Sequence, residues 1–182
     1  MRVYDILDSD SDIVDRDDAV KIDLGGDYSV VFGNVSFKYE DQMVLKNINL
    51  HVRKGEIVAL VGMSGGGKTT LVNLIPRFYD VTEGAILLKG HDLRHVTIES
   101  LRKQIGIVTQ DPLLFNDTIR NNIAYGNLDA SESGIIEAAK AAHAYDFIRS
   151  FSQQFDTVVG ERGVRLSGGE KQRICVARAL LK

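Results

Sequence analysis

From residue 28 the apolar positions follow a period of two. Val31, Gly33, Val35 and Phe37 alternate with Phe32, Asn34, Ser36 and Lys38, and Ile48, Leu50 and Val52 alternate with Asn49, His51 and Arg53. Successive side chains of extended backbone point to opposite faces, so the pattern predicts two half-buried strands that run antiparallel. Residues 57–61 (IVALV) are apolar throughout, which predicts a strand covered on both faces and central in a sheet. Thr82-Glu83-Gly84 reads as a turn into a strand at 85–88, closed by Lys89-Gly90-His91-Asp92, and residues 105–109 (IGIVT) read as a further apolar strand ending at Gln110.

Helical signals take over in the second half. Thr97 is placed to cap a short helix through Gln104, and Thr118 to cap one over 119–125 that stops at Gly126. Ser131 opens a longer helix whose buried stripe is Ile135, Ala138, Ala139 and Ala142. Ser167 and Glu170 stand in the S-x-x-E relation of a capping box, which makes Ser167 the N-cap of a last helix through Leu181. At the other end, residues 1–7 read as the end of an amphipathic helix with Val3, Ile6 and Leu7 on one side. Strands first and helices later make an α/β chain with a β-rich lobe and a helical lobe.

Charge changes this picture at the N-terminus. The net charge is −3, but residues 1–18 hold seven aspartates against two arginines, so the remainder carries a small positive excess. The run at 8–18 therefore reads as a solvated, self-repelling spacer. The near-neutral remainder argues against nucleic acid as a partner, since a polyanion surface needs a strong basic bias. A single cysteine, Cys175, sits among Ile174, Val176 and Ala177 and reads as a small buried hydrophobe of a reducing compartment. His91, His95 and His143 have no metal-ligand spacing with it.

The chemistry concentrates in GMSGGGKT at 62–69, which has the spacing G-x-x-x-x-G-K-T and lies between the apolar segment 57–61 and the helix-like stretch 68–75. Strand, glycine loop and helix in that order form a phosphate cradle. Glycines let successive amides of Gly62, Ser64, Gly65, Gly66 and Gly67 turn toward one anion, and the helix adds its positive end. Lys68 reaches the β and γ phosphates as a mobile charge, and the Thr69 hydroxyl ligates a Mg²⁺ ion bridging the same oxygens. The loop specifies a nucleoside triphosphate and leaves the reaction open.

LSGGEKQR at 166–173 narrows it. Together with GMSGGGKT, in this order, it resembles the nucleotide-binding domain of ATP-binding cassette transporters, and within that family the bacterial lipid and multidrug exporters. The resemblance covers residues 28–182. It implies a cassette fold with an antiparallel β lobe, an incomplete RecA-like core and a helical signature lobe, with 1–27 a linker from a membrane domain. It implies ATP and Mg²⁺ as ligands. Tyr39 matches the aromatic that stacks on adenine; Lys68 and Gln110 match catalytic positions, Thr69 and Gln110 the metal positions, and Thr70 continues the phosphate site. Ser167, Gly168 and Gly169 would face the γ-phosphate held by a second cassette in a head-to-tail pair, and Glu161 and Arg162 would face the membrane domain. The implied setting is the cytoplasmic face of the inner membrane, and the implied role is ATP-driven export of a lipid or other hydrophobic substrate. The alternative is a non-hydrolysing module that dimerises on ATP; a soluble kinase or GTPase has no use for LSGGEKQR.

The resemblance also implies an apolar strand ending in Asp-Glu, which supplies the water-polarising glutamate, beyond Lys182. Asp111 is a poor substitute, since its place belongs to the family's Gln and Pro112 follows at once. Negligible hydrolysis and marginal stability are therefore expected of these 182 residues alone.

Overall fold

The computed structural model describes residues 12–26 and 29–182. The helix end read at 1–7, and with it the start of the acidic run, lies outside them. The chain divides into two compact units, Met1–Gln104 and Ile105–Lys182.

The first unit is built on an antiparallel sheet in the order β2-β1-β3-β4, with β1 at Ser29–Tyr39, β2 at Gln42–Arg53, β3 at Glu83–Leu88 and β4 at His91–Asp92. The predicted hairpin is present, Tyr39 pairing with Gln42 and Ser29 with Arg53. Strict alternation fails in the second half of β1, where the register shifts three times and Val35, Ser36 and Phe37 are buried in succession. Phe32 is buried, yet so are Val35 and Phe37, because a bulge between Phe32 and Val35 puts Asn34 at a φ of 49° and reverses which face the odd positions occupy. On the facing strand Gly84 sits at φ 77°, inside β3 and not in a preceding turn. A Cβ there would lie 2.4 Å from the carbonyl oxygens of both Gly33 and Asn34, so glycine is the residue this pair of strands accepts.

Helix α1 (Lys68–Leu74) presents Leu71 and Leu74 as buried positions, and α2 (Ile98–Lys103) presents Leu101. Thr97 is the N-cap of α2, but its hydroxyl donates to Ser100 Oγ, 2.8 Å away, and makes no bond to the helix backbone. That helix amide is met by Asp15 instead, whose Oδ1 accepts from Ile98 N at 2.8 Å. The acidic stretch is thus more than a solvated spacer. Val20 forms a parallel bridge with Val96, Ile22 is buried with its amide donating to Ser100 Oγ, and Asp18 pairs with His95 Nδ1 at 3.0 Å. Arg77, itself buried, chelates Asp80 and donates through Nη2 to the carbonyl of Val14. Asp side chains that repel one another in an isolated chain find amide and imidazole donors here.

Two expectations are corrected. Residues 57–61 and 105–109 form no strand. Among the described residues no backbone ladder reaches either segment, and a strand without a hydrogen-bonded neighbour has nothing to offset the entropy of extension. Their apolar side chains are uncovered, Ile57 being 99% and Val61 91% exposed. Leu45, Ile48 and Leu50 of β2 line a cavity of about 390 Å³ together with residues 59–61.

The second unit is helical, with α3 at Ile119–Ala124, α4 at Glu132–Ala141, α5 at Tyr145–Ser150 and α6 at Gly168–Leu180. The predicted caps hold: Thr118 accepts from Asn121 N, Ser131 from Gly134 N and Ser167 from Glu170 N. The stripe Ile135, Ala138, Ala139 and Ala142 packs with Ile119, Ile123, Ile148 and Ile174 into one core. Cys175 belongs to it, and burial raises its thiol pKa above the ordinary value.

Candidate functional site

Within the first unit the glycine loop runs as an exposed bend and enters α1 at Lys68. Gly65 and Gly67 both have a φ of 78°, the left-handed conformation that lets consecutive amides turn inward on one side. Gly67 is fixed twice over, since a Cβ there would meet Leu45 Cδ2 at 2.8 Å. Gly66 N is tied to Met63 O at 3.1 Å, while among the described residues the amides of Gly65, Gly67, Lys68 and Thr69 reach no backbone carbonyl. Gly62, Ser64, Gly65 and Gly66 are exposed, so these donors are not packed against a core. Lys68 Nζ bends back over the loop and donates to Gly62 O at 2.9 Å and Met63 O at 2.7 Å, which places its charge at the loop's mouth. The arrangement fits a triphosphate: unpaired amides, a cation beside them and no side chain in the way.

Among the described residues no group of three His, Cys, Asp or Glu could hold a metal ion. A Mg²⁺ ion that takes most of its oxygens from phosphate and water needs only one or two protein ligands, and Thr69 presents an exposed hydroxyl beside Lys68. Thr70 differs: it is buried, and the Tyr39 hydroxyl lies 3.5 Å from its Oγ1. The structure thus brings Tyr39 to the helix that the phosphate loop opens.

The other predicted residues belong to the second unit. Gln110 is exposed on a bend, spanned by a 2.7 Å bond from Thr109 Oγ1 to Asp111 O. Ser167 completes the capping box reciprocally: its hydroxyl accepts from Glu170 N, and Glu170 Oε2 accepts from Ser167 N at 2.7 Å. Hydrogen bonds from the Ser167 hydroxyl and amide hold the Glu170 carboxyl below its ordinary pKa. Gly168 and Gly169 are exposed at the start of α6, so the amide end of a 13-residue helix stands open.

Ser167→Ala is expected to cost about 1 kcal/mol of stability at pH 7. Because the folded pKa of Glu170 is depressed, the cap's contribution is full above the unfolded carboxylate pKa and is lost as the pH falls through the folded value. The gap between parent and variant in urea unfolding should hold from pH 5 to pH 8 and narrow below roughly pH 4. A gap that is constant into acid would dismiss the reciprocal cap.

Sequence reasoning missed the residues that hold these groups in place. Asn122 is fully buried and ties residues 115–118 to α3 and α6, through bonds to Phe115, Thr118 and Arg178. Tyr79 packs on Tyr39. An asparagine inside a helix and a tyrosine after one carry no pattern; the only local hint was the aromatic pair Phe78-Tyr79 beside a charged residue on either side.

Comparison with known proteins agrees with this geometry. Residues 45–182 match the ABC transporter family. The chain is 62% identical over 181 residues to the ATP-dependent lipid A-core flippase of Syntrophus aciditrophicus, covering all of this chain and 30% of that protein. It is 55% identical over 185 residues to the putative multidrug export ATP-binding/permease protein YgaD of Bacillus subtilis, covering all of this chain and 31% of that one. A solved structure of a bacterial Atm1-family ABC exporter with ATP bound superposes with a TM-score of 0.91 at 47% identity, over 98% of this chain and 31% of that chain. The chain thus spans about three-tenths of the length of these relatives. A match over residues 45–182 that includes both the glycine loop and the LSGGEKQR helix shows that the chain belongs to the ABC transporter family.

Proposed function

We propose that this chain binds ATP with Mg²⁺ on the loop at 62–69 and serves as the ATP-binding part of an exporter of lipid or other hydrophobic molecules. The observation that carries the reading is the loop itself: amides at Gly65, Gly67, Lys68 and Thr69 that, among the described residues, reach no backbone carbonyl, with the Lys68 ammonium beside them. Lys68 exchanges its two carbonyl partners for phosphate oxygens, a gain because a charge-assisted bond to an anion is stronger than one to a neutral carbonyl. Thr69 supplies the protein oxygen for the metal, and Tyr39 offers an aromatic face to the base. Gln110, on the second unit, carries a neutral amide of the kind that would suit a metal-bound water. The bound triphosphate supplies the free energy that drives transport in the longer protein.

Two such domains pair head to tail, with the Ser167, Gly168 and Gly169 amides of one meeting the nucleotide of the other. Glu161 and Arg162 contact a membrane domain, which sets the chain at the cytoplasmic face of a membrane. Among the described residues no helix is long and apolar enough to cross one. The relatives named above as a flippase and an export permease support a lipid or drug-like cargo. We read hydrolysis as needing a strand that ends in Asp-Glu. No segment here supplies a strand ending in Asp-Glu, and Asp111 is exposed with its carbonyl engaged by Thr109.

Titration of the purified 182-residue chain with ATP and MgCl₂, with phosphate release followed in parallel, tests both parts. Saturable binding with negligible turnover is the expected result. Absence of binding would remove the nucleotide reading, and steady turnover abolished by Lys68→Ala would remove the claim that hydrolysis needs a strand ending in Asp-Glu.

A further inference from the structure

Tyr39 closes β1, and three groups converge on its ring. Phe37, two residues earlier and only 4% exposed, meets it edge-on, with centroids 4.8 Å apart and planes at 90°. Tyr79, from the segment after α1, meets it at 5.1 Å and 89°. Phe37 and Tyr79 touch each other at 5.5 Å, so the rings close a triangle. At the tip, the Tyr39 hydroxyl lies 3.5 Å from Thr70 Oγ1 on the phosphate-loop helix. Tyr39 nevertheless stays 37% exposed and Tyr79 41%, and both line an open cleft of about 640 Å³.

A tyrosine at a strand end with this much exposure would ordinarily sample several χ1 wells. A planar ligand stacking on it would have to fix one of them, and that ordering cost subtracts from affinity. Perpendicular packing against two rings removes the cost before the ligand arrives, since edge-to-face pairs are the favoured aromatic geometry. Phe37 cannot be separated from the sheet core, being buried on β1. Tyr79 can: it lies outside the strands and is partly exposed. Its neighbour Phe78 lines the same cleft but packs with the Arg102 guanidinium, 5.1 Å from its ring centroid, and makes no ring contact with Tyr39 among the described residues.

We infer that Tyr79 is a positioning residue for the nucleotide base. It acts through Tyr39, holding that ring in the orientation on which a purine stacks, and so sets how much the base adds to binding beyond the triphosphate. The inference rests on the proposed role of Tyr39 as the base platform.

The test compares the affinity of the 182-residue chain for ATP with its affinity for inorganic tripolyphosphate, both with Mg²⁺, by calorimetry. In the parent, ATP binds more tightly. Tyr79→Ala should weaken ATP by about two- to tenfold and leave tripolyphosphate unchanged, whereas Tyr79→Phe keeps the parental ratio. A merely structural role would weaken both ligands together and leave the ratio intact, which overturns the inference. So does a parental ratio in Tyr79→Ala when Tyr39→Ala has collapsed it. A ratio unmoved by Tyr39→Ala removes the platform and the inference with it, while absence of tripolyphosphate binding by the parent marks failure of the phosphate loop itself. Should Tyr79→Ala not fold, Tyr79→Leu keeps the bulk without the ring and is expected to lower the ratio in the same way.

Discussion

Lys68→Ala should bind ATP at least roughly a hundredfold more weakly than the parent while unfolding at the same denaturant concentration. Lys68 is the first residue of α1, and among the described residues its Nζ hydrogen-bonds to the carbonyls of Gly62 and Met63. Those carbonyls lie in an exposed loop, where water replaces the lost bonds at little cost. The folded chain therefore gives up almost nothing with the side chain. The nucleotide loses a charge-assisted partner for its most negative oxygens, and about 3 kcal/mol for one or two such bonds corresponds to the stated factor. Lys68→Arg should recover only part of the affinity, because a planar fork replaces a compact ammonium in a loop shaped by Gly65 and Gly67. The measurement is a binding isotherm alongside urea unfolding. Parental affinity in Lys68→Ala would sink the phosphate role; a large loss of stability would show instead that the lysine is part of the scaffold.

Asn122→Ala is expected to destabilise the second unit by about 3 kcal/mol, the largest effect of any single polar side chain in it. Asn122 has no exposed surface, and its side chain uses every hydrogen-bonding valence. Nδ2 donates to Phe115 O and Thr118 O at 3.0 Å, and Oδ1 accepts from Phe115 N at 2.9 Å and from Arg178 Nη2 at 3.0 Å. Arg178 also donates through Nε to the Asn122 carbonyl at 2.7 Å and through Nη1 to Leu113 O at 3.0 Å, so loop 113–118, α3 and α6 meet on one polar knot. Truncation leaves two carbonyls, an amide and a guanidinium group without that partner, and each buried group so stranded costs its desolvation. Asn122→Asp should be nearly as damaging despite its shape, since it turns the donor toward two carbonyls into an acceptor. Circular dichroism during urea unfolding reads the loss, and a change under about 1 kcal/mol would mean that the knot is replaceable by water. A double-mutant cycle with Arg178→Ala should be non-additive, because the two variants strand the same groups.

Legibility in the sequence followed how local each cause was. The caps at Thr118, Ser131 and Ser167 were readable because the acceptor and its amide lie within three residues of one another. The stripe at Ile135, Ala138, Ala139 and Ala142 was readable because helical periodicity survives packing. Thr97 shows the limit: the residue type and position of a cap were right, but its hydroxyl turned to Ser100 and a carboxylate 83 residues away, Asp15, took the helix amide. The acidic run looked like a repelling tether because only its own charges were visible, not His95, Ile98 and Arg77, which donate hydrogen bonds to it.

Within the proposed site, the glycine loop was legible because its geometry is local: the glycines and the lysine that shape its amides lie within a few consecutive residues. The same holds for Ser167 to Gly169, where the capping box and the open helix end are one local unit. Tertiary structure alone decided which residues meet around these elements: Tyr79 against Tyr39, Thr70 at the tyrosine tip, and Asn122 of α3 against Arg178 of α6. It alone decided, too, that 57–61 and 105–109 stay unpaired, since apolar character states a preference for burial and a strand exists only when another backbone answers its hydrogen bonds.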